Sequence, residues 1–478
     1  MMVGIPGAKE LPLPHKTPGV VANVVRGCLG NLVEWYDWFV YASFSIYFAA
    51  SFFPEGNQTA QLLSTAVVFA VGFLMRPLGG WLLGLYADRF GRRAALTLSV
   101  TLMSLGSLAI ALTPGYSSIG ILAPVILVVA RLAQGLSVGG EFGSSATYLS
   151  EIATPRRRGF YSSFQYVSIT VGQLSALLVM IVMQSLLTEA QMYAWGWRIP
   201  FVLGAIAGLV VMYLRRSMVE SEHFRRASAA GSPPGGLRVL LREHRRQVLA
   251  VLGLAIGGTV AFYTFTSYLQ KYMVNTAGIP KPTASLIGFA ALFLFIFMQP
   301  VAGALSDRWG RRPVMFGFSV GGMLLTVPIM TLVGRTGNPW IAFLLMLTAM
   351  VFLSGYTALS AIIKAEMFPT NVRALGVGLP HALATAVFGG LSEPIALALK
   401  QAGHESVFFW WVTGCIGLTF VATLVVREPS RGSSLEVGEV PARDSVVGGH
   451  VLSTVRCVRL LPNSGDRDPT APSRDARR

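Results

Sequence analysis

Apolar stretches of about 20 residues, the length that crosses a bilayer as a helix, recur along the chain and predict twelve membrane spans. They fall at 20–49, 58–86, 94–113, 119–148, 160–187, 196–215, 247–273, 282–308, 313–334, 338–366, 372–400 and 405–427. The spans form two sets of six, a bundle over 20–220 and a second over 247–427, joined by an Arg/Ser/Pro/Gly-rich loop at 221–246. Residues 1–19 are polar and contain prolines without the basic-then-apolar order of a cleaved leader, so the first span is expected to act as the insertion signal. From 428 to 478 the composition shifts to Arg, Ser, Gly, Pro and Asp with no aromatics, which predicts a disordered tail. The expected fold class is an all-α integral membrane protein of twelve transmembrane helices in two six-helix bundles.

Composition agrees with a bilayer as solvent. Of 478 residues only 13% are charged and 53% are hydrophobic, against about 25% charged in soluble chains. The hydrophobicity excludes intrinsic disorder, and three scattered cysteines, Cys28, Cys415 and Cys457, exclude a disulfide framework and offer no metal-ligand spacing. The excess of 38 Lys and Arg over 22 Asp and Glu, a net charge of +16, first suggests nucleic acid. Its placement says otherwise. Loops after spans two, four, six and eight hold Arg89, Arg92 and Arg93; Arg156, Arg157 and Arg158; a run from Arg215 to Arg246; and Arg308, Arg311 and Arg312, while loops after spans one, three and five hold no Lys or Arg. By the positive-inside rule both termini and the central loop are expected to be cytoplasmic, and no nucleic-acid partner is expected.

The chain repeats. Gly84-Leu85-Tyr86-Ala87-Asp88-Arg89-Phe90-Gly91-Arg92-Arg93 returns as Gly303-Ala304-Leu305-Ser306-Asp307-Arg308-Trp309-Gly310-Arg311-Arg312, offset by 219 residues, and Glu151, Pro155 and Arg158 are echoed by Glu366, Pro369 and Arg373. Halves of six spans related about the membrane normal describe one class of secondary transporter. The two copies of this loop, with Arg131-Leu132-Ala133-Gln134-Gly135 in span four, resemble the major facilitator superfamily. Gly30-Asn31-Leu32-Val33-Glu34-Trp35-Tyr36-Asp37, Phe73-Leu74-Met75-Arg76-Pro77 and Gly135-Leu136-Ser137-Val138-Gly139-Gly140-Glu141 resemble its metabolite:proton symporters. Tyr263 to Tyr272, Lys364 to Pro369 and Trp195 to Pro200 are similar to the members that carry 2-oxoglutarate. The resemblance, over about 20–427, implies the major facilitator fold and proton-coupled uptake of a dicarboxylate, 2-oxoglutarate, across a bacterial inner membrane. In span eleven, Pro394 predicts a bend.

Ionisable residues within spans are costly, so each calls for a partner or a task. Glu34, Asp37 and Tyr41 share one face of span one at i, i+3, i+7. Two close carboxylates repel, which suits proton uptake; the alternative is permanent pairing with arginines. Arg76 and Arg131 lie near mid-membrane, where a guanidinium fork suits a carboxylate ligand. Arg131 serves equally as an internal partner of Glu34 or Asp37. Tyr268, Lys271 and Tyr272 in span seven and Tyr356, Ser360 and Lys364 in span ten form stripes that line a cavity or belong to an interfacial belt. Arg198, near the periplasmic surface, either attracts anions or anchors its helix. His381 in span eleven is a candidate proton relay or simply a hydrogen-bonded histidine. The resemblance implies that Asp88, Arg92, Glu141, Glu151 and Asp307 form a cytoplasmic gate.

No GxxxxGK[ST], HExxH or Cys/His cluster occurs, and the two GxSxG matches, Gly135–Gly139 and Gly317–Gly321, lie inside apolar spans and not at a strand-to-helix elbow, so neither catalytic residues nor a cofactor or metal are expected. The expected partners are a small organic anion, protons and the lipid bilayer, with the chain as a monomer. A different organic acid or a zwitterionic osmolyte is the alternative cargo, and a non-transporting receptor or membrane enzyme the alternative class.

Overall fold

Twelve long helices follow the predicted spans in the computed structural model, which describes residues 19–54, 58–231, 235–426, 428, 429, 434 and 435. The first set is α1 (Val20–Phe52), α2 (Gln58–Phe90), α3 (Arg92–Leu112), α4 (Leu122–Ile152), α5 (Arg158–Leu186) and α6 (Arg198–Arg215). The second is α7 (Arg245–Asn275), α8 (Lys281–Trp309), α9 (Arg311–Arg335), α10 (Pro339–Glu366), α11 (Arg373–Gln401) and α12 (Glu405–Val425). Eleven of the helices are long and apolar enough to cross a membrane. The exception, α1, has 33 residues and turns its polar side chains Asn23, Asn31, Glu34 and Asp37 into the protein, which lowers its hydropathy without exposing charge to lipid. No strand occurs among the described residues. The predicted 1–19 segment, apart from Gly19, and the 428–478 tail, apart from 428, 429, 434 and 435, lie outside the described residues.

Two features differ from the sequence expectation. The central loop carries a short helix, Glu222–Ala229, whose N-cap Ser221 Oγ accepts from the Phe224 N–H, and a second, Leu237–Glu243. Just beyond α12, Glu428 accepts from the backbone N–H groups of Arg311 and Arg312, and Leu435 is buried. The start of the predicted tail therefore packs on the protein, because its carboxylate satisfies orphan N–H groups at the start of α9. Glu220 does the same for Arg92 and Arg93 at the start of α3.

Within the first set, α2 packs on α4, α1 on α5, and α3 on α4 and α6; within the second, α7 and α9 pack on α12, and α8 and α9 on α10. The sets meet where α5 lies on α8 and α11 on α2 and α4. The meeting of α2 with α11 and of α5 with α8 places like helices of the repeat in like contacts. Close approach of α2 and α4 depends on glycine: a Cβ on Gly139 would stand 2.1 Å from the Arg76 carbonyl oxygen. Small residues let helix backbones touch in a membrane, where no hydrophobic drive separates helix from lipid. Gly91 and Gly310, the repeated motif glycines, hold φ of 100° and 98°, a conformation that only glycine takes without strain, and so allow the chain to pass from α2 to α3 and from α8 to α9.

Single π-turns interrupt α7 at Thr264–Tyr268 and α11 at Thr385–Gly389. Pro394 lies inside the α11 segment that follows its π-turn, and it cannot donate a backbone hydrogen bond to that turn.

Candidate functional site

A cavity of about 30 Å³ lies where the two bundles face each other, walled by Trp35, Arg76 and Phe142 from the first and Tyr263, His381 and Thr385 from the second, with Tyr166 beside them. Arg76 enters from α2, fixed where Gly139 lets α4 approach, and it is 2% exposed. Its guanidinium lies 4.1 Å from the Phe73 ring and 4.2 Å from the Trp38 ring, and Nη1 donates to Tyr263 Oη of the opposite bundle at 2.9 Å. Its buried Nε and Nη2 have no hydrogen-bond partner. A cation over aromatic faces keeps part of its attraction for an anion, which a carboxylate partner would have cancelled.

Behind the wall formed by His381 of α11, Lys364 of α10 is buried, donates to Ser360 Oγ at 2.7 Å and stands 3.0 Å from His381 Nδ1. Its Nζ lies 4.9 Å from the Phe142 ring centroid, and His381 stacks on the same ring at 3.7 Å and 27°. Arg76, Arg131 and Lys364 take part in none of the ion pairs among the described residues. A buried cation without a carboxylate is expensive to keep. Arg76 walls the cavity, and Lys364 reaches it through His381 and Phe142.

The carboxylates of α1 lie elsewhere. Glu34 accepts from the hydroxyls of Ser99, at 2.7 Å, and Ser137, whereas Glu141 pairs with Arg215 at 2.8 Å. Asp37 faces α6 at Gly204, where an added Cβ would meet its Oδ1 at 1.9 Å, and Arg131 is the cation that acts on it. Arg131 itself donates to Gln134 Oε1 at 2.9 Å and lies 4.1 Å from the Tyr41 ring. Glu34, Asp37 and Arg131 are each 0% exposed, and none of them walls the cavity.

The remaining sequence candidates separate clearly. Tyr356 is buried in the second bundle, 5.6 Å from Lys364 Nζ across its ring. Tyr268 donates to Glu405, and the exposed Lys271 pairs with Glu393, both at the end of the bundle away from the arginine-rich loops. Arg198 donates to the carbonyls of Ala111, Thr113 and Ala194 and lies 4.2 Å from the Trp197 ring, which ties the start of α6 to the end of α3. The structure brings Arg76, Lys364 and His381 together and leaves Arg198, Tyr268 and Lys271 apart from them.

At the arginine-rich end the bundles are clamped twice. Asp88 accepts from the N–H groups of Ala374 and Leu375, both at 3.0 Å, and Asp307 accepts from Gly159 at 2.8 Å and Phe160 at 2.9 Å. Each carboxylate thus caps the N-terminus of a helix from the other bundle, where free N–H groups and the helix dipole favour an anion. Around Asp88, Arg92 reaches Glu151 at 3.1 Å and the Thr370 carbonyl at 2.8 Å, and Arg373 reaches the same Glu151 oxygen at 2.6 Å. Around Asp307, Arg311 donates to Asp307 at 2.8 Å and Glu366 at 3.3 Å. Asp88, Arg92, Glu151 and Asp307 meet here, whereas Glu141 sits deeper in α4 with Arg215. Arg311, Glu366 and Arg373 join these clamps without having been singled out from the sequence, although the repeat makes Arg311 the counterpart of Arg92 and the Glu151/Glu366 echo includes Glu366 and Arg373. Tyr263, Tyr166, Trp35 and Phe142 were missed as cavity walls; nothing in their spacing sets them apart from other buried aromatics.

Fold, repeat and cavity together define a two-bundle membrane transporter, and the chain belongs to the major facilitator superfamily, whose family model matches residues 27–392 and 269–461. Among curated proteins it is 50% identical over 414 residues to the alpha-ketoglutarate permease of Escherichia coli K12, covering 86% of this chain and 95% of the relative. It is 35% identical to a citrate-proton symporter of Salmonella typhi, at 86% and 95% coverage, and 29% identical to a proline/betaine transporter of E. coli K12, at 89% and 88%. Among solved structures, the proton:xylose symporter XylE bound to 6-bromo-6-deoxy-D-glucose has the same fold, with a TM-score of 0.67, 20% identity and coverage of 87% of this chain and 98% of that one.

Proposed function

We propose that this transporter imports 2-oxoglutarate together with protons by alternating access, in the inner membrane of a bacterium, as a monomer and without enzymatic activity. The observation that carries this reading is a pair of buried cations on opposite bundles with no carboxylate to neutralise them: Arg76, which walls the cavity, and Lys364, which stands behind the cavity residue His381. A dicarboxylate supplies one anion for each. Binding would then draw the bundles together, because its two ends are held by different bundles. The likeness to the alpha-ketoglutarate permease and the citrate-proton symporter supports an organic-acid cargo and proton coupling. In this orientation the doubly clamped end faces the cytoplasm and must open for release.

A zwitterionic osmolyte is the second reading, favoured by the proline/betaine relative and by the aromatic wall of Trp35, Phe142 and Tyr263. Its quaternary ammonium would have to share the cavity with Arg76, with Lys364 just behind the His381 wall, which disfavours it. A thermal-shift panel on purified protein separates the two, since a ligand present at 100 times its Kd stabilises the folded state by about 2.7 kcal/mol. The expected order places 2-oxoglutarate first, with pyruvate and glycine betaine well behind. A larger shift with betaine than with 2-oxoglutarate overturns the reading.

A further inference from the structure

Lys364 and His381 form a buried contact that two cations cannot share. Nζ and Nδ1 are 3.0 Å apart, and Ser360 Oγ, at 2.7 Å, accepts a second Nζ hydrogen. An ammonium has no lone pair, so when Lys364 is charged the bond runs from Nζ–H to Nδ1, which leaves the imidazole neutral with its proton on Nε2. The groups that face this pair are Arg76 from α2, Phe142 from α4, Tyr166 from α5, Thr259 and Tyr263 from α7, Tyr356 and Ser360 from α10 and Thr385 from α11. None is a carboxylate. A second positive charge on His381 is opposed by both Lys364 and Arg76.

An incoming carboxylate changes this balance. Placed at Lys364, it accepts the Nζ hydrogen that Nδ1 now holds, and it supplies the negative charge that the pair lacks. Nδ1, released from its donor, is then free to bind a proton delivered by hydronium or a buffer acid of the solution facing the cavity: the donor's bond to the proton breaks, its electron pair stays with the conjugate base, and the N–H bond forms on the Nδ1 lone pair. We infer that the substrate carboxylate and the co-transported proton bind as a unit at the Lys364–His381 pair, with the proton on His381 Nδ1. This deepens the dicarboxylate reading and rests on it. It also assigns coupling to a group at the cavity. Glu34 is held by Ser99 and Ser137, and Asp37 faces Gly204; neither can exchange partners with the substrate directly. Linkage requires the converse effect: protonation of His381 tightens the anion by the same factor.

The test is calorimetric titration of purified full-length protein with 2-oxoglutarate at about pH 8, above the ordinary histidine range near 6.5, in buffers of different ionisation enthalpy. Wild type is expected to take up about one proton per bound anion. His381→Asn, whose amide oxygen can still accept from Lys364 but cannot be protonated there, is expected to bind the anion more weakly, with no proton uptake and no pH dependence of affinity. Undiminished proton uptake in His381→Asn overturns the inference. Absence of 2-oxoglutarate binding by wild type would instead overturn the dicarboxylate reading. Should the variant fail to fold, wild type labelled with ¹⁵N-histidine gives the same decision by NMR. Among the six histidines of the chain, one ring is expected to pass from the neutral to the imidazolium pattern on adding 2-oxoglutarate at about pH 8, and no such change overturns the inference.

Discussion

Replacing Arg76 by alanine is expected to abolish 2-oxoglutarate binding, with affinity falling at least about 100-fold, or about 2.8 kcal/mol. The magnitude follows from what the side chain holds in reserve. Its Nε and Nη2 are buried without partners, and its positive charge is unneutralised. A carboxylate would gain charge-assisted hydrogen bonds of about 1.5–3 kcal/mol each. Arg76→Lys is expected to recover little, because an ammonium cannot form the two parallel bonds of a guanidinium and cannot spread over Phe73 and Trp38 in the same way. Calorimetry or equilibrium binding of labelled 2-oxoglutarate measures the effect, with the thermal unfolding of each variant checking that it is folded. Affinity within twofold of wild type in a folded Arg76→Ala protein would move the site elsewhere.

The second large effect concerns the double clamp. Changing Asp88 and Asp307 together to asparagine keeps side-chain shape but points an amide N–H at a backbone N–H in each clamp and removes the charge that each helix N-terminus favours. Four charge-assisted bonds weaken at once, and at about 1.5 kcal/mol apiece the shift approaches the roughly 5.5 kcal/mol that converts 1:99 into 99:1. The double variant is therefore expected to favour the state open at the arginine-rich end. Spin labels at the exposed Arg89 and Arg308, which sit on opposite bundles, in protein whose three cysteines have been replaced, report this by pulsed electron resonance. The inter-label distance is expected to lengthen in the double variant and to change less in either single one. Unchanged distances would mean that the clamps do not set the conformational balance.

The resemblance singled out Asp88 and Asp307, and the repeat adds its own control to that reading. Asp88 and Asp307 occupy equivalent positions, and the structure gives them equivalent partners at the starts of α11 and α5. The twelve spans were legible for a similar reason: apolar length is a local property. The cavity was less so. Lys271 and Lys364 look alike as lysines in aromatic-flanked helices, yet one is exposed beside Glu393 and the other buried beside His381. Helical spacing states which residues share a face but not which neighbour that face meets. The π-turn at Thr264–Tyr268 adds to the difficulty, since its extra residue rotates everything after it about the axis of α7. Tyr263, just before the turn, reaches Arg76, while Tyr268 and Lys271, at its end and after it, meet Glu405 and Glu393. Glu141 shows the same limit, because its partner Arg215 comes from α6, 74 residues away.

The central claim is coupled transport, and it is tested most directly by uptake of labelled 2-oxoglutarate into proteoliposomes with an imposed inward proton gradient. The expected result is accumulation above the external concentration that collapses when an uncoupler dissipates the gradient. Uptake that only equilibrates, or that persists unchanged after the uncoupler, would contradict it.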